Sequence, residues 1–304
     1  MTPPRRLPPE PSVPSPYAER LAAIPVRHLS AEVFGSRSDY WVYGDDDAPV
    51  TVLVVHGFRG EHHGLEPVVA YLEGVRVIAP DLPGFGESEA FRDRDHSVAS
   101  YASWLEVFAE AVGIGRDVVV LGHSFGSIVA SAALASGLPA SRLVLVNPIA
   151  APALKGPRGI LSRLAILYHW LGARLPEPVG QAILRSRIVT RVTSMAMVKT
   201  RSRSLTAWIH DQHDSYFSRF QNRRVVLEAF TASVSSDVST YARRITTPTL
   251  LIAADRDDIT ALPRQYELQA LFPDAQLDVV HGVGHLIHYE KPLEAATLIT
   301  DFLR

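Results

Sequence analysis

Five short, almost unbroken apolar runs rich in β-branched residues constrain this chain more than any other feature. They are Val50–Val55 (VTVLVV), Val75–Ala79 (VRVIA), Asp117–Leu121 (DVVVL), Arg142–Val146 (RLVLV) and Thr249–Ala253 (TLLIA). Runs this short and continuous are what strands look like when both faces of a parallel sheet are covered. Gln276–Val280 is a weaker last strand, and Pro25–Phe34 with Arg37–Tyr43, joined around Gly35-Ser36, reads as a hairpin-like start. Helical patterns fill the gaps at Glu66–Leu72, Ser97–Val112, Ser124–Ser136, Pro263–Leu271 and Pro292–Leu303. The alternation implies an α/β fold, an open and mostly parallel sheet flanked by helices.

The rhythm breaks after Asn147-Pro148 and resumes at Thr249. Between them lie helical stretches, expected at Gly159–Leu175, Val179–Thr193 and Arg223–Val234, with no convincing strand. The simplest organisation is one core, residues 21–148 and 245–304, carrying a helical insertion at 149–244. Ahead of it, residues 1–20 hold seven prolines within the first sixteen positions, the composition of an extended, disordered arm.

Composition excludes several chemistries. The chain has no cysteine, so disulfides, thiolate zinc sites and thiol nucleophiles are ruled out, and the usage fits a reducing cytoplasm. No apolar run reaches the roughly 18–20 residues of a spanning helix, and the N-terminus lacks the apolar stretch of a secretory signal. A cytoplasmic location is the resulting expectation. Arginine greatly outnumbers lysine, which occurs only at Lys155, Lys199 and Lys291, a usage typical of GC-rich bacterial genomes. The formal net charge of −2 gives no reason to expect nucleic-acid binding, but its distribution is uneven. From Ala150 to Arg224 thirteen basic side chains face three acidic ones, a net of +10. Such a segment presents solvated helix faces, or attracts an anionic substrate, an anionic lipid surface or an acidic partner protein.

The sharpest chemical signal is Gly122-His123-Ser124-Phe125-Gly126, a G-x-S-x-G pattern between the strand ending at Leu121 and the small-residue helix SIVASAALAS. A turn this tight thrusts the serine out at the C-terminal edge of the sheet, above a helix N-terminus whose amides favour developing negative charge. A serine hydroxyl is a weak nucleophile without a base. The segment HGVGHLIHYEKP offers His281, His285 and His288, and His285 falls in the loop just past the last strand, where a base would stand over the sheet edge. The base needs an anion on its second nitrogen. Asp257 is the preferred acid and Asp255 the alternative, both in the loop after TLLIAA, while the preceding strand ends on Asn147 and offers no acid. A glycine turn at His56-Gly57-Phe58 would aim the Phe58 amide at the nucleophile, so that it forms a two-donor oxyanion hole with the Phe125 amide. His56 reads as a loop-bonding residue with some claim to the pocket, His123 as a pocket neighbour, and His62 and His63 as surface histidines, with lining of the site mouth as the alternative.

Taken together, VVHGF at Val54–Phe58, DLPGFGES at Asp81–Ser88, GHSFG, PTLLIAADRDD at Pro248–Asp258 and GVGHLIHYEKP at Gly282–Pro292 resemble the α/β-hydrolase superfamily along nearly the whole chain. Two departures are Ala254, where the acid loop usually has glycine, and Ser127 near the nucleophile. The resemblance implies that 149–244 is a cap inserted after the sixth strand. It disfavours dehalogenase and epoxide-hydrolase chemistry, because the elbow residue is Ser124 and not aspartate. It implies hydrolysis of a carboxylic ester, thioester or lipid ester, with carbon–carbon hydrolysis of a vinylogous diketone and a slow ligand-binding receptor as the rival readings. No metal and no organic cofactor are implied. The partner is a small acyl substrate, apolar or anionic, with transient membrane-surface contact as a further expectation; oligomeric state is left open. Within the cap, Leu161, Leu164, Leu167, Tyr168, Trp170 and Leu171, and further on Trp208, Tyr216, Phe217 and Phe220, are candidates to pack the lid or to face the substrate; of these, Trp170 and Trp208 are the foremost pocket candidates.

Overall fold

The computed structural model of the chain describes residues 11–151 and 159–304, with 159–164 as backbone only. Its centre is an eight-stranded sheet of β1 (Val26–Val33), β2 (Ser36–Tyr43), β3 (Val50–Val55), β4 (Val75–Pro80), β5 (Val119–His123), β6 (Arg142–Val146), β7 (Thr249–Ala254) and β8 (Ala275–Val280). The spatial order is β1-β2-β4-β3-β5-β6-β7-β8. The two N-terminal strands pair antiparallel, β2 also runs antiparallel to β4, and every other ladder is parallel.

The continuous apolar runs have the explanation expected of them. Successive residues of a strand point to opposite faces, and here both faces are covered. Leu53 and Val55, Val120, Leu143 and Leu145, and Leu251 join one core; Val52 and Val54, Val119 and Leu121, Val144 and Val146, and Leu250 and Ile252 join the other. The first core is covered by α3 (Val98–Ala111), α4 (Phe125–Ser136) and α11 (Leu262–Gln269), the second by α2 (Glu66–Val69) and α13 (Pro292–Leu303). The remaining core helices are α1 (Ala18–Ala22) and the short α12 (Ile287–Glu290).

Between β6 and β7 the described residues form α5 (Gly159–Arg174), α6 (Glu177–Leu184), α7 (Arg187–Met197), α8 (Arg203–Tyr216), α9 (Arg223–Ser235) and α10 (Ser239–Ala242). The single helix expected over Val179–Thr193 is two. In an unbroken helix the Leu184 carbonyl would accept from the amide four residues on; instead it accepts from Arg59 Nη2 at 2.9 Å, and the chain turns at Arg185-Ser186. Helix α8 was not anticipated, although Ser202 caps it through the Leu205 amide in the manner such residues do.

Disorder was expected across 1–20. Residues 1–10 lie outside those described, but from Pro11 onward the arm is docked. Ser12 donates through its amide (2.6 Å) and hydroxyl (2.8 Å) to Asp211 of α8, and the Tyr17 hydroxyl donates to the Tyr289 carbonyl at 2.8 Å. The Tyr17 ring is buried with Trp208 and Tyr289, apolar burial that offsets the entropy of ordering the arm.

Candidate active site

Ser124 sits between β5 and α4 with φ 53° and ψ −118°, a strained conformation for any residue but glycine. The flanking glycines make that turn possible. A Cβ on Gly126 would lie 2.1 Å from the Val55 carbonyl oxygen, and one on Gly122 would lie 2.6 Å from the Gly126 carbonyl oxygen. The helix can therefore press against β3 and β5 only if both positions lack a side chain.

The structure brings the three residues singled out from the sequence into one chain of hydrogen bonds. His285 Nε2 lies 2.7 Å from Ser124 Oγ, and His285 Nδ1 lies 2.8 Å from Asp257 Oδ2. Asp257 is further held by the amides of Ile259 and Thr260 on Oδ1 and by Asn147 Nδ2 on Oδ2 at 3.0 Å. Burial pushes this carboxyl up, but the His285 charge and hydrogen bond and the two amides outweigh it, leaving Asp257 below its ordinary value. Asp255 is turned away, accepting from the Gly282 amide and facing the exposed His281, while Asp258 binds Lys199 Nζ. Asn147 has φ 47°, a conformation asparagine tolerates better than most residues.

Gly57 abuts Ser124, since a Cβ there would come within 3.2 Å of Ser124 Cβ. The Phe58 amide follows directly, and the Phe125 amide opens α4, where a helix leaves its amides without internal partners. His56 is not available to a substrate. Its Nδ1 is bound to the Gly57 carbonyl and its Nε2 accepts from the Leu82 amide, both at 2.8 Å, which occupies both ring nitrogens. His123 is buried between His285 and His288 (ring centroids 5.6 and 4.1 Å), where burial and then the His285 charge push it down to about 3.

The two tryptophans proposed for the pocket lie elsewhere. Trp170 is 50% exposed beneath the Arg174 guanidinium on the outside of α5, and Trp208 is buried against Tyr17 and Tyr289. The side chains of Leu161 and Leu164 lie outside the described residues. What the cap sets against Phe58 is a different pair, Phe230 of α9 and His169 of α5, with centroids 5.9 and 6.0 Å from the Phe58 ring and stacked on each other at 3.7 Å. His169 donates from Nδ1 to the Ala165 carbonyl, and burial lowers it to about 4. Arg59 is the other residue the sequence did not flag. It has φ 61°, is buried, and donates to the Leu184 and Phe217 carbonyls of the cap, each at 2.9 Å. A charged residue beside an apolar HGF motif was the available signal.

A mostly parallel α/β sheet with a serine at a strand–helix elbow and a histidine and aspartate on later loops defines the class of α/β hydrolases. The family model for the Alpha/beta hydrolase family matches residues 52–297, and the chain belongs to that family. A protein of Escherichia coli (strain SMS-3-5 / SECEC), provisionally described as the carbamate hydrolase RutD, is 28% identical over 247 residues, covering 81% of this chain and 86% of its own. Lipase 1 of Psychrobacter immobilis is 23% identical over 268 residues, 85% of this chain and 78% of its own. The esterase EaEST of Exiguobacterium antarcticum superposes with a TM-score of 0.73 at 16% identity, over 91% of this chain and 99% of its own.

Proposed function

We propose that the protein is a serine hydrolase that cleaves a carboxylic ester through an acyl-enzyme on Ser124. The observation that carries this is His285, hydrogen-bonded to the serine hydroxyl on one side and to buried Asp257 on the other. Ser124 Oγ attacks the carbonyl carbon and its proton passes to His285 Nε2. The Phe58 and Phe125 amides hold the oxyanion, and Asp257 stabilises the imidazolium. Collapse expels the alcohol, which takes the proton from His285. Water, deprotonated by His285, then attacks the acyl carbon, and collapse releases the acid as Ser124 Oγ takes the proton back from His285.

A second reading, that the ester is lipid-like and reached at an anionic membrane surface, is favoured by α7. This helix is inside out: Ile188, Val192 and Met195 on one face are 77%, 61% and 64% exposed, while Thr190 and Ser194 are buried. An apolar stripe facing water is the hallmark of an interfacial helix. From Pro178 to His210 the chain carries six basic side chains and no acidic one, a charge that complements anionic lipid. No helix among the described residues is long and apolar enough to cross a membrane.

The test is labelling by a fluorophosphonate probe, wild type beside Ser124→Ala, followed by p-nitrophenyl esters of increasing chain length. Labelling confined to wild type, with turnover rising toward long chains, is expected. Well-folded wild type that neither labels nor turns over sinks the esterase reading in favour of a binding protein.

A further inference from the structure

The loop following the Phe58 turn carries Glu61, His62 and His63 in succession, and the fold brings one donor atom from each to within 4.8 Å of the others. The rings are also held by aromatic neighbours. His62 is stacked on Trp41 (centroids 3.3 Å, 12°), His63 on Tyr216 (4.2 Å, 18°), and the two imidazoles lie against each other at 3.9 Å. Glu61 is buried, and one of its oxygens closes on His63 Nδ1.

Behind the triplet stands a partner of the kind metal-binding histidines require. A ligating imidazole almost always gives its second nitrogen to a carboxylate or carbonyl, which fixes the tautomer. His62 Nδ1 lies 2.9 Å from Oδ1 of the fully buried Asp81, and Asp81 is itself held by the His62 and Glu87 amides. With Nδ1 so engaged, Nε2 is the atom His62 has left to offer.

Arg219 approaches the cluster from the segment after α8, its Nη1 3.9 Å from Glu61 Oε2. Glu61 and Asp81 are both buried beside the two imidazoles. His63 and Glu66 also line a cleft of about 400 Å³ shared with Trp208 and the docked arm, which opens a path to the cluster.

We propose that Glu61, His62 and His63 form a binding site for a divalent d-block cation, zinc being the ion that two imidazoles and a carboxylate suit best. The site joins the loop that carries Phe58 to the cap, because Tyr216 and Arg219 come from the end of α8 and the segment after it. Its role is to fasten that seam; it lies outside the Ser124–His285–Asp257 chain and does not depend on the esterase reading.

The experiment uses full-length, untagged protein stripped with EDTA, then titrated with zinc chloride against a chromophoric chelator, with magnesium chloride as the comparison. One zinc per chain with a Kd of about 1 µM or tighter is expected, no binding of magnesium in that range, and a melting temperature that rises with zinc. His63→Ala and Glu61→Gln should each weaken zinc at least ~10-fold, whereas His281→Ala, an exposed histidine elsewhere, leaves it unchanged. Sub-stoichiometric or 100-fold weaker binding would overturn the site, and so would full affinity in the Glu61→Gln/His63→Ala double variant; the Glu61–His63 contact would then be an ordinary ion pair. Should a variant fail to fold, X-ray absorption of the zinc-loaded wild type decides: fewer than two imidazole ligands rejects the assignment.

Discussion

The two walls of the proposed active site are held by different means. On the core side the backbone itself sets the geometry: Ser124 is locked at positive φ by close approach of Gly122 and Gly126 to their neighbours, and His285 and Asp257 stand on loops leaving adjacent parallel strands. On the cap side the contacts are made by side chains. Arg59 reaches up to two cap carbonyls, and Phe230 and His169 rest on Phe58. A wall fixed by backbone packing cannot be altered piecemeal. A wall fixed by side chains can be retuned without disturbing the chemistry, which is where differences in substrate choice within such a fold can arise.

The contrast is tested most severely at Ser124. Ser124→Ala should lower kcat/KM by about 10⁴-fold or more while the melting temperature stays put, because the strained turn remains. Unchanged turnover would remove the serine from the mechanism altogether. Next comes Gly126→Ala, whose added carbon cannot fit beside the Val55 carbonyl; about 3 kcal/mol of stability should be lost, read from a denaturant midpoint, along with probe labelling. On the other wall, Arg59→Met should spare the fluorophosphonate label but raise KM on the order of 10-fold, since the Leu184 and Phe217 carbonyls lose their donor and the cap loosens. Equal losses in labelling and KM would mean that the two walls are not separable.

Acid should find the seam between the walls. His123, His169 and His213 are folded as neutral rings, held down by burial to about 3, 4 and 3. Once unfolded, each returns to about 6.5 and takes up a proton more readily. Their contribution is therefore intact above pH 6.5 and is lost as pH falls from there toward the folded values. The melting temperature at pH 5 should lie on the order of 5 °C below that at pH 7.5; a flat profile would mean that these rings are solvated in the folded state.

The same division explains what the sequence made legible. Buried parallel strands write themselves as continuous apolar runs, and an elbow that admits only glycines leaves G-x-S-x-G, so the sheet and the Ser124, Asp257 and His285 cluster could be placed from one chain. The cap wrote no comparable constraint. Trp170 and Trp208 are large and apolar and so looked like pocket residues, yet one caps the outside of α5 and the other binds the arm. Which face of a cap helix meets the core depends on how the helices are tilted, and periodicity alone does not carry that. In α7 the apolar face even points outward, the reverse of the usual inference. His62 was misjudged for a related reason: a histidine in a polar loop reads as a surface residue unless the stacking Trp41 and the buried Asp81, distant in sequence, are known to be there.

Asn147 tests the division at its boundary, being the last residue of β6's exit before the chain enters the cap. It belongs to the core by its backbone, at φ 47°, but acts through a side chain, donating to Asp257 Oδ2 at 3.0 Å. If it only positions the acid, Asn147→Ala should lower kcat by roughly 3–10-fold, the net worth of one ordinary hydrogen bond, because the Ile259 and Thr260 amides still hold the carboxylate, with KM little changed. Asn147→Asp keeps the shape but sets a second carboxylate against Asp257, so one of the pair must hold a proton near neutrality. Its kcat should fall further than that of the alanine variant, and its pH–rate profile should gain an additional ionisation. Wild-type profiles in both variants would mean that the Ile259 and Thr260 amides alone hold Asp257, making the acid as fully backbone-determined as the nucleophile.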